Sequence, residues 1–122
     1  MSTGLILIVE DTEDNLRIMR DLLSSVGFDI VEAHDGEAAV LAAARFRPDV
    51  IVMDIQLPVL DGYEAIRRIK ADGALRHIPI IAVTSYALSG DEEKARAAGC
   101  DLYIAKPFNP RQLLTAIREL LD

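Results

Sequence analysis
The feature that most constrains this chain is an alternation. Four short apolar runs, at 5–9, 50–53, 80–83 and 102–105, and a shorter, partly alternating one at 28–32, are separated by stretches whose apolar residues recur at helical spacing. Runs rich in β-branched residues read as strands, and where no polar position interrupts them they are buried on both faces. Strands alternating with helices predict an α/β fold. A five-stranded parallel sheet would carry five helices distributed over both faces, joined by right-handed crossovers. The 122 residues, 51% of them apolar, fill one core and not comfortably two. A single domain over 1–122 is therefore expected. It shows no repeat, low-complexity tract or linker, and no effector domain is expected after the last helix.

The punctuation agrees with this alternation. Thr12 precedes a first helix with Glu13 and Asp14 in its opening turn, and Gly27 stops it. Asp35-Gly36 opens a second helix, which Pro48-Asp49 ends. Asp61 and Glu64 have capping-box spacing before a third helix, closed by Gly73. Ser89 and Glu92 repeat that spacing before a short fourth helix that ends at Gly99. Asn109-Pro110 reads as a cap followed by proline in the first helical position.

Composition removes several function classes. Thirteen basic against twenty acidic residues leave a net charge of −7, which repels a phosphate backbone. With no tryptophan and few aromatics there is no base-stacking platform, so direct nucleic-acid binding is not expected. No apolar stretch is long enough for membrane insertion, and no secretory signal opens the chain. The lone Cys100 excludes an internal disulfide and fits a cytoplasmic location. Nothing basic is expected near enough to activate it. His34 and His77 lack metal-ligand spacing and read as surface residues.

The chemistry lies where the strands end. The first run is followed by Glu10-Asp11, the third by Asp54, the fourth by Thr84 and the fifth by Lys106. In a parallel sheet these positions meet at the carboxyl edge, where open α/β sheets bind ligands. Three crowded carboxylates repel one another, and a divalent cation relieves this. All-oxygen ligation favours Mg²⁺, which keeps water in its remaining positions and can exchange it for phosphate oxygens. The set therefore suits phosphoryl chemistry on a carboxylate nucleophile, Asp54, with Lys106 and the metal balancing charge and Thr84 donating a hydroxyl. Taken singly, each residue has an ordinary role as a cap, turn or surface residue. The coincidence at four of five strand ends carries the argument.

With these residues in place the chain resembles the receiver domains of bacterial two-component response regulators, the CheY-like family. The likeness rests on Glu10-Asp11, on the segment from Met53 through Asp54 and Pro58 to Asp61-Gly62, on Thr84, and on Tyr103 three residues before Lys106-Pro107. It covers essentially the whole chain. It implies the flavodoxin-like strand order 2-1-3-4-5. It implies that Asp54 accepts a phosphoryl group from a phosphohistidine on a sensor histidine kinase or histidine phosphotransfer protein. Mg²⁺, for which Mn²⁺ could substitute, would be held by the Asp11 and Asp54 carboxylates and the Gln56 backbone carbonyl, with Glu10 acting through water. The family often has aspartate where this chain has Glu10. The Lys106-Pro107 peptide would be cis, aiming the lysine inward. Thr84 would move toward the phosphoryl group and Tyr103 would turn inward. The domain would assist its own phosphorylation and dephosphorylation rather than act as an enzyme on other substrates.

The surface read by a downstream protein would comprise the fourth helix, fifth strand and fifth helix, with Tyr86, Ala87, Leu88, Lys94, Tyr103, Phe108 and Arg111 as candidates. Similarity across 84–106 points to the stand-alone cell-cycle and polarity type. A receiver excised from a longer regulator or hybrid kinase is the alternative setting. Three other readings compete. A haloacid-dehalogenase hydrolase would need an acid where Gln56 stands. A flavodoxin would need a Ser/Thr/Gly-rich phosphate loop where 10–14 is acidic. A receiver-like module that is never phosphorylated would not need the intact set of pocket residues.

Overall fold
The computed structural model describes residues 4–84, 91–106 and 108–121. Five strands and five helices alternate along it: β1 (Leu5–Val9), α1 (Glu13–Ser25), β2 (Asp29–Ala33), α2 (Gly36–Phe46), β3 (Val50–Asp54), α3 (Gly62–Ala71), β4 (Ile80–Thr84), α4 (Asp91–Ala98), β5 (Leu102–Ala105) and α5 (Pro110–Leu121). All strand pairs are parallel and the sheet order is β2-β1-β3-β4-β5. The parallel pairing is as the alternation predicts, and the order is the one the family resemblance implies.

The continuous apolar runs are explained by two cores, one on each face. Successive side chains of a strand point to opposite faces. Leu7, Val9, Ile51, Met53, Ile80 and Ala82 pack under α2, α3 and α4. Ile6, Ile8, Val50, Val52, Ile81 and Val83 pack under α1 and α5. β3 and β4 are buried at every position, so only apolar side chains fit until the strands emerge at Asp54 and Thr84. β2 lies at an edge and is only partly buried, which accounts for its incomplete apolar pattern.

The helix ends differ from the sequence reading in informative ways. Thr12 stands at the α1 N-cap in extended conformation, yet its side chain makes no capping hydrogen bond. Asp61 accepts from the Glu64 N–H at 2.9 Å, but Glu64 does not close the box. Its carboxylate accepts from Arg67 and Arg68 instead, at 3.0 and 3.2 Å. The complete reciprocal box is at α5, where the Gln112 N–H donates to Asn109 Oδ1 and the Asn109 N–H to Gln112 Oε1. α3 stops at Ala71, before Gly73, because Asp72 leaves helical geometry and its side chain caps the Ala74 N–H. Gly27 and Gly99 take the positive φ expected of residues that end helices. Ser89 lies outside the described residues. Among the described residues no helix is long and apolar enough to cross a membrane.

Candidate functional site
The sheet delivers the predicted residues to one edge. Glu10 follows β1, and its N–H donates to the Ala33 carbonyl of β2. Asp54 closes β3 and Thr84 closes β4. Lys106 follows β5, and its N–H donates to the Thr84 carbonyl at 2.7 Å. Carboxylate oxygens of Glu10, Asp11 and Asp54 all lie within 4.8 Å of one another. Glu10 and Asp54 are buried, whereas Asp11 is exposed at the mouth.

Lys106 reaches into this cluster. Its ammonium donates to Glu10 Oε1 at 2.9 Å and to Asp54 Oδ2 at 3.5 Å. Pro107 lies outside the described residues, and so does the expected cis peptide. The inward aim of the lysine is nevertheless present. Asp54 Oδ1 accepts from the Gln56 N–H at 3.0 Å. The Gln56 side-chain amide donates to Thr84 Oγ1 at 2.5 Å. Glu10 Oε2 is buried and accepts no hydrogen bond among the described residues.

The crowding shows in the titration of the pair. Burial, then the hydrogen bond with and charge of Glu10, push the Asp54 carboxyl up to about 7 against the pull of Lys106 and the Gln56 N–H. Burial also works to raise Glu10. The interaction with the Asp54 carboxyl, the hydrogen bond from Lys106 and the lysine charge outweigh it and hold Glu10 below the ordinary value. Burial works to lower Lys106, but its hydrogen bond to Glu10 and the Asp54 and Glu10 charges raise it instead. An all-oxygen donor set with excess negative charge, one exposed member and one buried oxygen without a donor fits a hard divalent cation such as Mg²⁺.

The connection after Asp54 is held by close backbone approach. The Ile55 N–H donates to Val83 and the Gly62 N–H to Ile55. A Cβ on Gly62 would lie 2.5 Å from the Asp54 carbonyl oxygen, and one on Gly36 would lie 1.9 Å from that of Leu60. Between them, the Leu60 N–H donates to Pro58 at 2.7 Å across Val59, which has φ +68°. Positive φ is costly for a β-branched residue. Val59→Asn is expected to raise stability by about 1 kcal/mol in urea denaturation, because asparagine tolerates this region better. An unchanged midpoint would show that the turn is unstrained.

The remaining predicted residues divide. Tyr86, Ala87 and Leu88 lie outside the described residues. Tyr103 and Arg111 line one shallow groove between β5 and α5. Phe108 does not join them. It packs with the α1 and α5 layer, where its ring is partly buried. The Lys94 ammonium sits 4.6 Å from the centre of the Tyr63 ring and lines the cleft beside Asp11 and Gln56. It is drawn toward α3 by the ring face. His34 is exposed, 3.8 Å from Glu13. Cys100 is buried. Burial raises its thiol pKa against the smaller pull of Arg96, so the nearby cation does not activate it.

One feature had no motif to announce it. A groove of about 470 Å³ runs between α1 and α5 beside Lys106, lined by Ile18, Met19, Leu22, Phe108 and Leu113. Ile18 is 61% exposed there. In sequence these residues read as ordinary members of apolar helix faces. An apolar residue left outside the core on α1 was the only available signal.

A doubly wound parallel sheet with this acidic cluster, hydroxyl and lysine at its carboxyl edge defines a CheY-like α/β signalling domain. The chain belongs to the response regulator receiver domain family, whose model matches residues 6–118, and so to two-component signal transduction. Among its relatives, the polar-differentiation response regulator DivK of Brucella anthropi is 43% identical over 116 residues, spanning 95% of this chain and 94% of that protein. The receiver domain of the sensor histidine kinase PA1611 of Pseudomonas aeruginosa superposes with a TM-score of 0.90 at 42% identity, over 97% of each chain. That structure holds a magnesium ion in its active-site cleft. The chemotaxis protein CheY4 of Vibrio cholerae superposes with a TM-score of 0.91 at 27% identity, covering 98% of this chain and all of that one.

Proposed function
We propose that Asp54 is the phosphoryl acceptor of a single receiver domain spanning 1–122. The donor is a phosphohistidine on a sensor histidine kinase or histidine phosphotransfer protein. As the phosphorus–nitrogen bond breaks, a phosphorus–oxygen bond forms to the Asp54 carboxylate, and the imidazole leaves with the electron pair. The observation that carries this reading is the convergence of Glu10, Asp11 and Asp54 around Lys106, with carboxylate oxygens within 4.8 Å of one another.

The residues divide the work. Asp11, Asp54 and the Gln56 carbonyl would hold Mg²⁺ or Mn²⁺, and Glu10 would act through a bound water. Bound there, the cation supplies charge neutralisation for the transferring group. Lys106 holds the acceptor carboxylate and faces the incoming phosphoryl oxygens. The same pocket supports the domain's own phosphorylation from small donors and its own dephosphorylation. The α1–α5 groove opens beside Lys106, so the donor's apolar surface would seat there. Phosphorylation adds about −1.5 to −2 charges. Thr84 then turns toward the phosphoryl group, Tyr103 follows inward, and a downstream protein reads the α4–β5–α5 side.

The setting is cytoplasmic, through protein contacts and without direct DNA binding. Near-full coverage of the DivK relative supports a polarity or cell-cycle regulator. A second setting, within a hybrid kinase, draws support from the 42% identity to the PA1611 receiver.

The test is intact mass after incubation with Mg²⁺ and an acyl phosphate. One phosphoryl group is expected on the wild type, and none on Asp54→Asn or after chelation. Turnover of the acyl phosphate without accumulation would favour a hydrolase or very rapid self-dephosphorylation. Failure with both acyl phosphate and a phosphohistidine donor would leave an interaction module that is never phosphorylated.

A further inference from the structure
We infer that the Gln56 side chain is a positioning residue that latches Thr84 in the resting state, so that phosphorylation must break this contact before the switch can move. The inference rests on the acceptor reading above. Gln56 touches both ends of the switch. Its main-chain N–H donates to Asp54 Oδ1, and its side-chain amide donates to Thr84 Oγ1 at 2.5 Å. The contact spans 28 positions of sequence and joins the end of β4 to the loop after β3.

The sign follows from burial. Thr84 is fully buried, so its hydroxyl depends on protein partners rather than water. Gln56 is half-buried, so its amide can be rehydrated when released. A contact made in one state and lost in the other biases the equilibrium toward the first by its own differential strength. Because the acceptor is held by the main chain and the switch by the side chain, the two roles can be separated by substitution. Gln56→Met keeps the N–H to Asp54 and the backbone carbonyl. It also keeps nearly the same side-chain length, and loses only the amide.

The test uses beryllofluoride, a phosphoryl mimic, with saturating Mg²⁺, and the Thr84 methyl NMR resonance in the resting protein. Gln56→Met should bind beryllofluoride about threefold to tenfold more tightly, the effect of one modest hydrogen bond. Its resting Thr84 resonance should lie part-way toward the position seen at saturation. In a Thr84→Val background the same substitution should leave affinity unchanged. Wild-type binding with Gln56→Met no tighter, or with its resting resonance unmoved, would overturn the latch alone. Failure of the wild type to bind beryllofluoride would overturn the acceptor reading and the latch with it.

Discussion

Asp54→Asn is expected to be more stable than the wild type at pH 8 in the presence of a chelator, by about 2 kcal/mol. The Asp54 carboxyl is pushed up to about 7 in the folded protein from an ordinary value of 3.8. A native group that holds its proton more tightly than the unfolded one contributes stability that is fully present below pH 3.8. That contribution is lost as pH rises and is gone once it passes about 7. A shift of that size acting alone would correspond to about 4 kcal/mol. Glu10 is shifted the opposite way by the same contact, which returns part of the loss. Asparagine has the shape of the protonated acid, can donate to Glu10, and never ionises. Urea denaturation at several pH values should therefore show the wild type falling between pH 4 and 7 while Asp54→Asn stays level. With Mg²⁺ at pH 8 the wild type should recover more than the variant, since a ligand bound only to the folded state stabilises it. Parallel pH profiles for the two proteins would mean that Asp54 is not strained by its neighbours.

Gly62→Ala should have the opposite sign and a similar size. Its Cβ would meet the Asp54 carbonyl oxygen at 2.5 Å and the Ile55 Cα at 2.6 Å, both of them backbone. Backbone on both sides cannot give way as a flexible side chain would, so either the first turn of α3 or the end of β3 must shift. The expected loss is about 3 kcal/mol, at the upper end for overpacking. Gly36→Ala should cost at least as much, since its Cβ would stand 1.9 Å from the Leu60 carbonyl oxygen. The two glycines clamp the connection that positions Gln56 and, through it, Asp54 Oδ1. Gly62→Ala is therefore also expected to slow acyl-phosphate labelling of the protein that remains folded. Denaturation midpoints within experimental error of the wild type would show that the connection is free to move.

Much of the site was legible because parallel sheets make strand ends converge. An apolar run that stops at a carboxylate names both the strand and the residue at its mouth. That is how Glu10, Asp54, Thr84 and Lys106 could be assembled from positions up to 96 residues apart. The lysine was singled out by this convergence rather than by its own neighbourhood. The surfaces were less legible. Lys94 sits on α4 and Phe108 on the connection before α5, but which way each side chain turns depends on neighbours distant in the chain. Phe108 packs toward α1 and Lys94 packs over Tyr63. The groove beside Lys106 needs α1 and α5 side by side, although they come from opposite ends of the chain.

By itself, then, the amino-acid order determined the alternation of elements, the parallel sheet and the chemical set at its edge. These depend on local periodicity and on one geometric rule of parallel strands. The tertiary structure alone decided the rest. It moved the carboxyls of Asp54 and Glu10 in opposite directions, up and down, because burial and the reach of one ammonium set that balance. It joined Gln56 to Thr84, because the loop after β3 meets the end of β4 only after the two strands have paired. It required glycine at 36 and 62, because backbones from separate elements approach there within the radius of a methyl group.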